Sequence, residues 1–295
     1  MASPLEKAAS LSCWKGRVDP EPLSGGITNT NFVVNDAGNR YVVRIGTDIP
    51  EHQIVRSNEL AASRAAAAAG ISPAVMHAEP GALVLEFVEG VTLNEADIGE
   101  RARLARILPV IKTCHRDIPL HFHGPAMMFW VFHILRDYSE TLRIGQSNYA
   151  DMLASLAEIS SRLEYAVGPI DLVFGHNDLL AANFIDDGDR IWLIDWDYAG
   201  FNSPLFDLGG LASNNGFDEE QEIWLLENYY ERAVDANLRS RFEAMKCASL
   251  LRETMWSMVS EIHSTIDFDY AAYTAENLRR FNAAYDSYKS DWEAK

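Results

Sequence analysis

Cysteine is scarce in this chain: Cys13, Cys114 and Cys247 lie far apart with no C-x-x-C spacing. So few, and odd in number, they do not suit a disulfide framework, and a reducing, cytoplasmic setting is expected. Long apolar runs are missing too. No stretch reaches the roughly 18 residues a spanning helix needs, and the N-terminus has no basic segment followed by an apolar one. Neither export nor a membrane span is expected. Basic residues are few beside acids, 25 Lys+Arg against 43 Asp+Glu, for a formal net charge of −18. That balance disfavours nucleic acid and anionic membranes as partners and favours cations, either Mg²⁺ or an organic cation.

What is present is enough apolar material, 48% of 295 residues, for one large core or two modest ones. Residues 1–89 read as strands with one helix, and residues 90–295 as mainly helical with a strand-rich insert near 171–195, which predicts two lobes. Residues 30–36 and 40–46 flank the turn Asp36-Ala37-Gly38-Asn39 and should pair as a hairpin that carries Arg44. Ser57 to Ala69, alanine-rich and closed by Gly70, predicts a helix with Glu59 in its first turns. Residues 83–88 read as a further strand, and helices are expected near 100–116, 126–143, 149–166, 219–235, 239–264 and 272–290.

The chemistry concentrates in Gly175-His176-Asn177-Asp178-Leu179-Leu180-Ala181-Ala182-Asn183, followed by Ile194-Asp195-Trp196-Asp197. Strand-like runs deliver polar residues at their ends, and alternation along an extended segment would point Asp195 and Asp197 to the same side. Phosphoryl transfer from ATP needs a carboxylate to orient the attacking hydroxyl and hard oxygen ligands for Mg²⁺. Asp178 suits the first task; Asn183, Asp195 and Asp197 suit the second. Protein kinases show the same spacing between catalytic loop and second metal-binding Asp. Ser24-Gly25-Gly26-Ile27-Thr28-Asn29 precedes the first long strand, where paired glycines allow close backbone approach to phosphates and hydroxyls donate to them. Arg44, paired with Glu59, would supply a phosphate cation. His115-Arg116-Asp117 spells a kinase triplet, but Phe122 stands where a metal ligand is needed, so it reads as a helix terminus. His121 and His123 form an H-x-H pair without an evident third ligand and read as surface or turn residues.

Together these residues resemble the choline/ethanolamine kinase branch of the aminoglycoside-phosphotransferase-like kinases over nearly the whole chain. The Ser24–Asn29 loop, Arg44 where other branches carry Lys, Ile194-Asp195-Trp196-Asp197-Tyr198-Ala199 and Phe206-Asp207-Leu208-Gly209 carry the likeness, with Trp256, Ile266-Asp267-Phe268-Asp269-Tyr270 and Tyr273 near the C-terminus. The resemblance implies an α+β, protein-kinase-like two-lobed fold: a small antiparallel-β lobe with one main helix, and a larger helical lobe. It implies ATP between the lobes, a hinge at Glu86 to Val88 that meets adenine, and Mg²⁺ as cofactor. Trp256, Phe268 and Tyr273 are then candidates for a cation pocket, because a trimethylammonium group has no N–H to donate and needs aromatic faces. His176 and Asp207 are expected to brace the catalytic loop. Glu253 stands where the resemblance to eukaryotic choline kinases implies a further Trp, one helical turn before Trp256, which keeps primary ammonium substrates open. Choline is the expected substrate; ethanolamine, thiamine, an amino sugar or an aminoglycoside are the alternatives, and a nucleotide-binding regulator without catalysis is the rival of a different class.

Overall fold

The computed structural model describes residues 3–24, 26 and 28–293, the side chain of Glu293 excepted. The first lobe contains α1 (Pro4–Ala9), β1 (Glu21–Leu23), β2 (Thr30–Asp36), β3 (Asn39–Ile45), α2 (Arg56–Ala68), β4 (Val75–Glu79) and β5 (Ala82–Glu86). Its strands pair antiparallel in the order β1-β2-β3-β5-β4. The β2–β3 turn has positive φ at both Ala37 (50°) and Gly38 (86°), the twist a two-residue hairpin requires. Val43 lies opposite Phe32 and Val84, and with Val34, Ala8 and Leu11 these residues fill a small core beneath α1. Alternation along β3 therefore turns Arg44 to the other face of the sheet, where α2 presents Glu59.

The second lobe continues with β6 (Val91–Thr92), α3 (Glu95–Gly99), α4 (Arg101–His121), α5 (Val131–Ile144), α6 (Leu153–Val167), β7 (Val173–Gly175), β8 (Phe184–Asp186), β9 (Ile191–Leu193), β10 (Gly200–Asn202), α7 (Pro204–Asn214), α8 (Glu219–Tyr230), α9 (Ala236–His263) and α10 (Tyr270–Tyr288). The long α9 is its axis and packs against α5, α6, α7 and α10. Strands β6, β8 and β9 form one small sheet, and β7 pairs with β10. No helix among the described residues is long and apolar enough to cross a membrane.

Several expectations need correction. α4 runs through Pro119 to His121, so His115 lies inside a helix rather than at its terminus. α5 starts at Val131, after the Gly124-Pro125 break. The strand expected over 83–88 stops at Glu86, and α7 was not expected at all. β9 ends at Leu193 and Asp195 adopts φ 69°, so strand alternation is not what directs Asp195 and Asp197. Asp is one of the few non-glycine residues that enters this left-handed region readily.

Candidate active site

The loop after β7 is built around a buried carboxylate at the start of α7. Asp207 accepts from the backbone N–H of His176 at 2.8 Å and of Asn177 at 2.7 Å, and lies 2.9 Å from His115 Nε2. Burial pushes its carboxyl up, but the His115 hydrogen bond and nearby imidazoles outweigh this and hold it below the ordinary value. Asn177, at φ 66°, donates to the Tyr198 and Gly200 carbonyls and so ties this loop to the one after Asp195. His176 Nε2 meets the Ile194 carbonyl at 2.9 Å, Ile194 N–H donates to Asn183 O, and Asn183 Nδ2 donates to Asp178 O at 2.9 Å. The two loops thus hold Asp178, Asn183 and Asp195 at one place. Asn177 and Asp195 both take left-handed φ, a region these two residue types enter readily, at the turns of the two loops.

Arg44 reaches this place from the sheet. Its Nη2 lies 2.9 Å from Asp195 Oδ1 and 3.0 Å from Asp197 Oδ1, and its Nε 2.8 Å from Glu59 Oε1. Burial works against the guanidinium charge, but the carboxylates of Asp195, Glu59 and Asp197 outweigh it and raise the Arg44 pKa. Asp197 departs from its expected place among open metal ligands. Its Oδ1 also accepts from Arg56 at 2.8 Å, and its Oδ2 accepts from Thr28 Oγ1 at 2.8 Å and Asn29 Nδ2 at 3.2 Å. Both oxygens are engaged. Thr28 and Asn29 accordingly face Asp197.

A cleft of about 290 Å³ between the lobes is lined by Ser24, Gly26, Arg44, Glu86, Phe87, Val88, Asn183 and Asp195, among others. Gly25 lies outside the described residues. The donor set fits Mg²⁺: Asn183 uses its amide nitrogen on Asp178, which leaves its oxygen, and Asp195 has one oxygen beyond the Arg44 bond. Among the described residues no three His, Cys, Asp or Glu side chains form a ready-made cage, so the remaining ligands would be phosphate oxygens and water.

Asp178 lines not that cleft but a separate small crevice, together with Asn177, Ser249, Arg252 and Glu253. Burial, reinforced by Glu253, Asp195 and Asp197 and opposed by Arg252, pushes the Asp178 carboxyl up to about 8. Arg252 lies 3.9 Å from Asp178 and 2.9 Å from Glu253, which also accepts from Tyr273 Oη at 2.7 Å. Trp256 is buried, stacks on His52 with centroids 4.8 Å apart, and donates to Tyr198 Oη at 2.8 Å. Phe268 is exposed but meets Tyr273 edge-on at 5.7 Å, and Tyr273 meets Trp256 at 6.4 Å. Sequence assigns no role to Arg56, Asn177, Tyr198 or Arg252, and places His115 only in a helix-terminal triplet. Arg252 had a signal, a lone cation amid Leu250, Leu251 and Met255.

A small antiparallel sheet over a helical lobe, with a nucleotide cleft between them, is the protein-kinase-like fold of a phosphotransferase, shared with aminoglycoside phosphotransferases. A family model described as choline/ethanolamine kinase matches residues 21–282, and the chain belongs to that family. LicA of Haemophilus influenzae is 27% identical over 272 residues, covering 88% of this chain and 77% of that protein. Human ethanolamine kinase 2 is 29% identical over 310 residues, covering 91% and 76%. A crystal structure of a choline/ethanolamine kinase family protein from Mesorhizobium loti aligns with a TM-score of 0.73 at 28% identity, covering 94% of this chain and 92% of the other.

Proposed function

We propose that the protein transfers the γ-phosphoryl group of ATP to the hydroxyl of a small amino alcohol, choline being the substrate expected from sequence and ethanolamine its near competitor. The observation that carries this reading is a continuous chain of contacts. The backbone carbonyl of Asp178 accepts from the Asn183 amide, Asn183 and Asp195 share a cleft with Glu86 to Val88, and Arg44 meets Asp195 from the other lobe. In this reading Asp178 orients the hydroxyl and accepts its proton late in transfer. Arg44, held by Glu59, anchors the α/β-phosphate region, while Ser24 and Gly26 approach the phosphates and the backbone of Glu86 to Val88 meets adenine. Asn183 and Asp195 would hold Mg²⁺, which when bound neutralises charge on the β- and γ-phosphates. Asp197 acts with Thr28, Asn29 and Arg56 to position Arg44. His176 and Asp207 keep the loop in place, and Trp256, Phe268, Tyr273 and Glu253 border the cationic end of the alcohol.

The test is ATP consumption with choline, ethanolamine, thiamine and kanamycin, run on the native protein and on Asp178→Asn. Turnover is expected with choline or ethanolamine, and the substitution should lower kcat on the order of 10³-fold while ATP binding persists. Near-normal turnover by the variant, or turnover confined to thiamine or kanamycin, would contradict the proposal.

A further inference from the structure

The crevice beside Asp178 contains a cation of the protein's own. Arg252 is 4% exposed. Its guanidinium carbon lies 4.3 Å from the centre of the Tyr198 ring and 5.6 Å from that of Phe129. A guanidinium over an aromatic face is held most strongly when water is excluded, as it is here. The Tyr198 and Phe129 faces are therefore already taken. A trimethylammonium group would find those two faces occupied and would bring no N–H to any acceptor.

The acceptor is Glu253. Its Oε1 receives Tyr273 Oη and its Oε2 receives Arg252 Nη1, and each carboxylate oxygen has a second lone pair for a further donor. A primary ammonium can approach it in a charge-assisted hydrogen bond, at about 2.8 Å, where methyl groups hold a quaternary nitrogen farther away.

We infer that Arg252 is a specificity-determining residue: seated on the Tyr198 face, it turns the site toward head groups that donate N–H to Glu253 and away from fully methylated ones. The inference rests on the amino-alcohol kinase reading of the same site, and within it reverses the preference for choline. It is tested by measuring kcat/KM for ethanolamine, its N-methyl and N,N-dimethyl derivatives, and choline, on the native protein, Arg252→Met and Glu253→Gln. The native protein should lose efficiency along the series, about 10-fold or more from ethanolamine to choline. Arg252→Met should narrow that ratio by a similar factor; because the ratio is taken within one variant, any common loss of turnover cancels. Glu253→Gln should raise KM for ethanolamine more than for choline. A flat native series, a native preference for choline, or an unchanged ratio in Arg252→Met overturns the inference alone. No turnover of any of the four by a protein that still binds ATP defeats the kinase reading and this inference with it.

Discussion

His52 stands between β3 and α2 yet is buried among residues of the helical lobe. Its Nε2 lies 3.0 Å from Ser260 Oγ on α9, its ring is stacked on Trp256, and Tyr138 of α5 meets it edge-on. Burial, with Arg252 and His263 adding repulsion, lowers its pKa to about 3. The unfolded chain, with an ordinary histidine near 6.5, binds the proton more readily, so stability from this residue is complete above about pH 6.5 and is lost as pH falls toward 3. At pH 5 the loss is about 2 kcal/mol. Urea unfolding at pH 7.5 and pH 5 should show a drop in the native protein that exceeds the drop in His52→Gln by about that amount. Equal drops in the two proteins would mean that His52 is not held neutral in the fold. The comparison isolates one ring because every other titrating group is common to both proteins.

At the scale of elements, α7 is the instructive case. Ser203 caps it and Pro204 opens it, both ordinary start signals, but Gly209-Gly210 in its middle reads as a break. The structure gives the reason for the glycine. A Cβ on Gly209 would lie 3.0 Å from the backbone nitrogen of Lys246 and 3.1 Å from its Cα, atoms fixed in α9, whereas one on Gly210 would meet only the Ser249 hydroxyl at 3.3 Å, which can rotate away. Alanine favours a helix over glycine by about 1 kcal/mol, while forcing packed helices apart costs about 1–3 kcal/mol. Gly210→Ala should therefore be neutral or stabilising, and Gly209→Ala less stable than it by at least about 1 kcal/mol. Thermal and urea unfolding of the two variants decide this, and equal stabilities would show that α7 and α9 can separate freely. The same contrast marks what was legible in sequence. The β2–β3 hairpin, α2 and the two-lobed fold follow from local periodicity and turn residues. Asp178, Asn183 and Asp195 stand out because their spacing is short. His115, Arg56 and Arg252 meet partners 92, 141 and 74 positions away, at Asp207, Asp197 and Asp178, and nothing in local pattern specifies such pairings. The aromatic segment was legible as composition, but not the fact that Trp256 would be stacked on a histidine.

In the whole molecule one carboxylate gathers an unusual share of the polar contacts between the lobes. Thr28, Asn29, Arg44 and Arg56 all belong to the sheet lobe, and all donate to Asp197 of the helical lobe. Two guanidinium groups share its Oδ1, and their charges, with the Thr28 bond, hold its carboxyl below the ordinary value against a burial effect that would raise it. A buried ion pair adds little over a well-packed apolar substitute, but removing one partner strands the others, at a cost of about 3–5 kcal/mol. Asp197→Asn removes the charge and turns an amide N–H₂ toward groups that are themselves donors. The stranded arginines then favour water, which they reach only if the lobes part. Calorimetry of the native protein should show one cooperative transition, and Asp197→Asn should show an earlier one that separates the sheet lobe from the helical lobe. Hydrogen exchange should locate the lost protection in β2, β3 and α2, with α9 unchanged. A variant that unfolds in a single transition at the native temperature would mean that apolar contacts between α2 and α4 hold the lobes together, and that the cluster at Asp197 serves the nucleotide alone.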